Sequence, residues 1–295
     1  MEIIELSFER FQDARRYLMT NGRELEQALF RFHFENGSKQ EVLLKLSEFQ
    51  ADNGGFSGMG EGDSKYANAM DTNMAFQCLS DVGASPQDEI VQRGIQYIIK
   101  SYDPANRCWH PNPYNKKGGW LDNPSAELLG YLYEYRELVP ADFLRLVTEH
   151  ANASITMTKT SMKLDQFYFL TALCLARLAL RTGEPLKSRI LSRLFHEMPL
   201  FIETDAEKWT TTYCAKPFFF AETPTSPFYL PIQADVIKSL ENEMATQAAD
   251  GHFILNWGGT NEAARIWRSI NTLHILKVLK NHNMIGKQTE GVHFE

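Results

Sequence analysis

The chain has 295 residues, 43% of them hydrophobic and 23% charged, enough to bury a large core; length alone fits one domain or two, and a single domain spanning 1–295 is the expectation. A formal net charge of -7 with no Lys/Arg stripe argues against a nucleic-acid partner. No apolar run reaches the roughly 18 residues of a membrane span, since Phe167–Ala176 is broken by Arg177. Met1–Glu5 holds two glutamates and no basic stretch, so a soluble, cytoplasmic chain without a secretory signal is expected, with Cys78, Cys108, Cys174 and Cys214 reduced.

Apolar spacings of three and four dominate, and strict alternation is scarce, so the fold class is all-α. The spacing predicts about twelve helical stretches. They cover 7–19, 23–36, 39–51, 68–82, 87–101, 124–136, 141–152, 164–181, 186–203, 209–219, 229–247 and 260–281. In 68–82, for example, Met70, Met74 and Cys78 form one row and Ala75, Leu79 and Val82 a row beside it. The 87–101 stretch has a charged face and belongs on the outside. The 164–181 stretch is apolar nearly all round, which predicts burial on most sides. Asn123-Pro124 reads as an N-cap followed by proline at the first helical position. Pro140 and Gly183-Glu184-Pro185 separate helices. The proline-rich Ala215–Pro231, with Phe218-Phe219-Phe220, is expected to be an ordered loop because those rings are poorly tolerated in solvent.

One segment recurs. Leu43–Phe56 carries Gln50-Ala51-Asp52-Asn53-Gly54-Gly55-Phe56, and Leu240–Phe253 carries Gln247-Ala248-Ala249-Asp250-Gly251-His252-Phe253. A degenerate copy begins at Ile95–Asp103 and ends at Trp109. In each an amphipathic helix is followed by a glutamine or polar residue, a tight turn and an aromatic. Glycine supplies the left-handed backbone that stops the helix, Asp or Asn shapes the turn, and the aromatic plugs the gap between hairpins.

These segments resemble the Gln/Trp-type repeats of the prenyltransferase/squalene-cyclase (terpenoid cyclase) superfamily. Together with Phe32–Gly37 and Asp122–Leu132 they are similar to a bacterial group of short proteins in it. The resemblance implies an α/α toroid of about six helical hairpins in two concentric layers, with the inner helices starting around one mouth. The superfamily's chemistry is less visible. Proton-initiated cyclases use Asp-x-Asp-Asp, and the acidic groupings Glu61-Gly62-Asp63 and Glu203–Glu207 lack that spacing. The metal-binding Asp-Asp-x-x-Asp is absent. Protein prenyltransferases hold zinc with Asp, Cys and His, but no local spacing supports Cys214 with His110 or His252. The sequence therefore names no metal site and no cofactor.

Polar residues near predicted inner-helix starts are the candidates for chemistry. Glu61, Asp63, Asp122, Glu127 and Asp165 are the candidate catalytic acids, with Glu61/Asp63 and Asp122/Glu127 as preferred pairs. Each also reads as a helix cap. Asp71, Trp209, Tyr213, Trp257 and Arg265 are the candidate substrate contacts, because aromatic faces suit a prenyl chain, a carbocation or a sugar ring. Phe56, Trp109 and Phe253 read as plugs between hairpins, and His110 as structural. Three functions stay open. One is binding or transformation of an isoprenoid-like apolar ligand in a central cavity. Another is a non-catalytic scaffold or binding protein. The last is a carbohydrate-active hydrolase or lyase with paired carboxylates.

Overall fold

The computed structural model describes residues 4–60, 66–111, 119–157, 167–257 and 262–287. The regular elements among them are helical. The α-helices are α1 (Phe8–Asn21), α2 (Glu24–Phe34), α3 (Lys39–Ser47), α4 (Ala69–Asp81), α5 (Glu89–Ser101), α6 (Ser125–Glu134), α7 (Ala141–Met157), α8 (Tyr168–Arg181), α9 (Leu186–Phe201), α10 (Tyr229–Thr246) and α11 (Glu262–Asn281). None is long and apolar enough to cross a membrane. None of the four cysteines is in a disulfide.

The chain divides into two compact units. One comprises Met1–Gly37 with Glu203–Glu295, the other Ser38–Ile202. In the first, α1 packs on α2 and α11, α11 also meets α2, and α10 packs on α11 and on the 3-10 turn Pro217–Phe219. A short parallel bridge joins Leu6 to Ile285. In the second, α6 packs against α4, α7 and α8, while α8 and α7 pack on α9 and α4 on α5.

Capping fixes several helix starts. Ser7, Ser38 and Asn68 each accept a backbone N–H from three residues ahead, at 3.3, 3.1 and 2.8 Å. The start of α6 departs from expectation. Its first residue is Ser125 and Pro124 stands at the N-cap position without a side-chain bond. Asn123 does not cap, because its Oδ1 lies 3.2 Å from Cys174 Sγ.

The Gln turn takes the same bonds in both units. In one, the Gln50 amide donates to Gly54 O at 2.9 Å and Ile90 O at 3.0 Å, and Ala51 N donates to Gly55 O at 2.8 Å. Phe56 N then donates to Thr72 Oγ1 at 3.1 Å. In the other, the Gln247 amide donates to Gly251 O at 2.8 Å and Arg10 O at 3.1 Å, Ala248 N donates to His252 O at 2.9 Å, and Phe253 N donates to Thr272 Oγ1 at 3.1 Å. The glutamine thus ties the turn to the backbone of a third helix. Glycine is required at its tightest point. Gly54 and Gly251 have φ of 89° and 98°. A Cβ there would stand 2.3 Å from Arg93 O and 2.2 Å from Asp13 O. In the degenerate segment Trp109 N donates to Ser125 Oγ at 3.0 Å, with no glutamine. Phe56, Trp109 and Phe253 are all buried, as plugs should be.

One expectation is corrected. The stretch 209–219 is not an α-helix. Three consecutive threonines follow Trp209 and Pro217 follows Lys216, so the chain makes 3-10 turns at Ala206–Lys208 and Pro217–Phe219 instead. The proline-rich loop after it is ordered, with Phe218, Phe220 and Phe228 buried. The helix buried on all sides is α6, in which every residue from Ser125 to Leu132 is buried. Helix α8 is buried on most sides, as its composition implies: Phe169, Ala172, Cys174, Leu175, Ala176, Leu178 and Ala179 are buried, and Leu180 is exposed. Residues 164–166 of that predicted stretch lie outside the described residues.

Candidate functional site

Three predicted acids, Glu61, Asp63 and Asp165, lie outside the described residues. The structure does not assemble the others into one constellation. Asp71 is fully buried and spent on the backbone. Its Oδ2 accepts from Gly58 N at 3.0 Å and Asn68 Nδ2 at 2.8 Å, and its Oδ1 from Met59 N at 3.1 Å. It holds the chain that leaves the Phe56 turn and is no substrate contact. Asp122 is exposed and accepts from Gly119 N at 2.6 Å, shaping the turn before α6.

Glu127 is buried between α4, α6 and α8. Asn73 Nδ2 donates to its Oε2 at 3.0 Å, and Gln77 Nε2 and the Tyr131 hydroxyl donate to its Oε1 at 3.0 and 2.9 Å. Arg177 Nη1 reaches both oxygens, at 3.3 and 3.1 Å. Burial pushes this carboxyl up, but Arg177, the Asn73 bond, Arg181 and the Tyr131 bond outweigh it, and the net shift is downward. Glu127 is therefore a carboxylate with its lone pairs occupied, neither a proton donor nor a free base. The expected Asp122/Glu127 acid–base pair is corrected on this ground. One member shapes a surface turn and the other is sealed in a core ion pair. The Cys174 thiol beside it is pushed well up by burial and by Glu127.

In the other unit, Trp209 is fully buried and donates from Nε1 to Glu203 O at 2.7 Å, so it is a core residue and not a ligand surface. Tyr213 and Trp257 are partly exposed and meet edge-on at 6.2 Å, and Trp257 meets Trp267 at 5.7 Å. Arg265 pairs with Glu262 at 3.5 Å on the surface of α11.

The sequence reading missed a cavity of about 370 Å³ in the Ser38–Ile202 unit. Its described lining comes from the start of α4 (Asn68, Ala69), the end of α5 (Tyr97, Ser101) and the following segment (Tyr102, Asp103, Pro104, Trp109, His110). An antiparallel bridge between Asp103 and Cys108 closes that segment and sets its side chains in place. Three aromatic rings (Tyr97, Tyr102, Trp109) and four other polar side chains (Asn68, Ser101, Asp103, His110) share the wall, and no Lys or Arg is among the described lining residues.

The acid–base groups of this wall are engaged with one another. Asp103 Oδ2 accepts from His110 Nε2 at 2.9 Å and Asn106 Nδ2 at 2.8 Å, and Oδ1 accepts from Ala105 N and Asn106 N at 3.0 and 3.2 Å. The His110 bond, then those of Asn106, hold Asp103 well below the usual carboxylate range. His110 Nδ1 faces the Cys108 sulfur at 3.9 Å. Burial first, then Asp103 and Asp122, push that thiol up to about 11, so it stays protonated at neutral pH. Carboxylate, imidazole and protonated thiol thus form one row along the wall, with His110 tied to Asp103. Tyr102 O–H pairs with His150 Nδ1 at 2.6 Å, and its ring lies 4.7 Å from that of Trp109. Trp109 Nε1 donates to Ile98 O at 2.7 Å.

Tyr97 differs. It makes no hydrogen bond among the described residues. Burial, with Asp71 adding, pushes its hydroxyl up to about 12. The signal available in the sequence was the degenerate third turn, which carries Ser101, Tyr102, Asp103, Trp109 and His110 within one short stretch. No group of three or more His, Cys, Asp or Glu among the described residues is placed to hold a metal ion. The chain matches no protein-family model, no curated protein and no solved structure.

Proposed function

We propose that this chain is a non-catalytic binding protein whose ligand is a small, uncharged, ring-bearing molecule with hydroxyl groups, of monosaccharide size, taken in the cavity at the start of α4. The observation that carries this reading is the contrast within the cavity wall. The carboxylate and imidazole that could do chemistry are consumed by internal bonds, while aromatic rings and one unused hydroxyl remain. Aromatic walls with a few placed polar groups are the usual make-up of a small-molecule site, and about 370 Å³ is near the lower end of its size range. A lining with Asp103 and no described Lys or Arg disfavours phosphates and carboxylates. The same polar lining suits a prenyl chain poorly. The hydrolase reading loses one of its two carboxylate pairs, Asp122/Glu127; the other, Glu61/Asp63, lies outside the described residues.

The frame that goes with this reading is an α/α toroid of about six hairpins in one domain, related to the terpenoid-cyclase superfamily. Its support is the Gln turn, whose bonds recur at Gln50 and Gln247.

The test is thermal stabilisation of the full chain by a panel of aldoses, cyclitols and methyl glycosides, with farnesol and farnesyl diphosphate as comparators. A ligand at 100 times its dissociation constant adds about 2.7 kcal/mol to stability, which a melting curve resolves. A melting temperature raised by a polyol and not by the isoprenoids is expected. Stabilisation by the isoprenoids alone overturns the reading.

A further inference from the structure

Resting on that reading, we infer that Tyr97 is the specificity-determining residue of the cavity, its hydroxyl being the group that reads an oxygen of the ligand.

The inference starts from what each polar group in the wall has left to offer. Asp103 has both oxygens filled, His110 is tied to Asp103, and Tyr102 is paired with His150. The hydroxyl of Ser101 already donates to Ile98 O at 3.3 Å. Among the described lining side chains with an O–H, Tyr97 alone keeps both its donor and its acceptor capacity. A half-buried hydroxyl with both capacities open can donate to or accept from a ligand oxygen.

The ring that carries the hydroxyl is also held in place. A Cβ on Gly55 would stand 2.6 Å from Tyr97 Cε2 and 2.7 Å from Cδ2 and Cζ. Glycine at position 55 is therefore what lets the turn lie flat against the ring. Gly55 N is fixed in turn by Asn53 Oδ1 at 3.1 Å, and Ala51 N is bonded to Gly55 O. The Gln50 turn thus presses a rigid backbone face on the ring and sets the direction of its hydroxyl. The second glycine of Gly54-Gly55 gains a purpose here, since His252 stands at the matching place after Gly251.

The electrostatics select the ligand group. Burial first, then Asp71, raises the Tyr97 pKa, so the phenol stays protonated, and the nearby Asp71 charge disfavours an anionic ligand. A neutral hydroxyl, ether or carbonyl oxygen is the chemistry that fits.

The experiment uses the full-length chain, the tightest-binding polyol from the panel, and that polyol's monodeoxy analogues, measured by calorimetry. Tyr97→Phe is expected to keep the melting temperature, because no internal bond is lost, and to weaken the polyol by roughly tenfold, the worth of one net hydrogen bond. One deoxy analogue should bind the wild type as weakly as the polyol binds Tyr97→Phe, and the variant should not tell the two ligands apart. Gly55→Ala should weaken every ligand by displacing the ring. A Tyr97→Phe variant that binds the polyol like wild type, or that still distinguishes all deoxy analogues, overturns this inference and leaves the binding function standing. A melting temperature lowered by Tyr97→Phe overturns it too, since the hydroxyl would then have an internal role. Absence of binding by any polyol overturns both.

Discussion

Glu127 and Glu243 are both fully buried glutamates, one in each compact unit, and their carboxyl groups shift in opposite directions. Glu127 gathers Asn73, Gln77, Tyr131 and Arg177. Burial pushes it up, but the Arg177 charge and the hydrogen bonds pull it below the ordinary value. Glu243 meets the Lys216 ammonium alone, and burial wins, leaving the carboxyl raised. Burial thus outweighs the single Lys216 partner at Glu243, whereas at Glu127 two arginine charges with several neutral donors outweigh burial. Glu127 also ties α4, α6 and α8 together, while Glu243 ties one loop residue to α10.

The largest test of this contrast removes the carboxylate with more hydrogen-bond partners. Glu127→Ala leaves Arg177, Tyr131 and Asn73 without their acceptor and is expected to cost about 3–5 kcal/mol in urea unfolding. Lys216→Met strands Glu243 and is expected to cost about 2–3 kcal/mol at neutral pH, and less in acid, where Glu243 takes up a proton. Adding Glu243→Gln to that variant should recover most of the loss. The contrast fails if Lys216→Met costs more than Glu127→Ala. Gly54→Ala and Gly251→Ala probe what the units share, and each should cost about 1–3 kcal/mol through strain at positive φ. Equal losses at the two glycines would support the equivalence of the turns, and a loss at one alone would break it.

The smallest effect is in the pH profile, and its signs differ between the two groups. Glu127 has a depressed folded pKa, so its contribution is complete above the unfolded value near 4.5 and is lost as pH falls through the folded one. Glu243 has a raised folded pKa, so its contribution is present below the unfolded value near 4.5 and is lost as pH rises through the folded one. Glu127→Gln should therefore flatten the stability curve on the acid side of pH 4.5, and Glu243→Gln on the other side. The same slope change in both variants would refute the assignment.

Much of the frame could be read from local sequence. Met70, Met74 and Cys78 lie in the α4 helix that their spacing indicates, and the Gln50 and Gln247 segments make the glycine-stopped turns that their residues imply. Local rules failed where local signals conflict. Helical spacing in 209–219 lost to its threonines and proline. The site was harder to read for a different reason. Glu127 stood out as an acid near a helix start, but its partners Asn73, Gln77 and Arg177 lie 50 or more residues away. The cavity likewise depends on α4, α5 and the segment after α5 meeting at one place.

The amino-acid sequence by itself determined that this chain is helical, where most of its helices lie and how its Gln turns close, because spacing, capping and glycine conformations act over a few residues. Tertiary structure alone decided which carboxylates are spent, which thiol stays protonated and which hydroxyl is left unpaired. Those properties depend on burial and on donors brought from distant helices, and neither is written in the spacing of neighbouring residues.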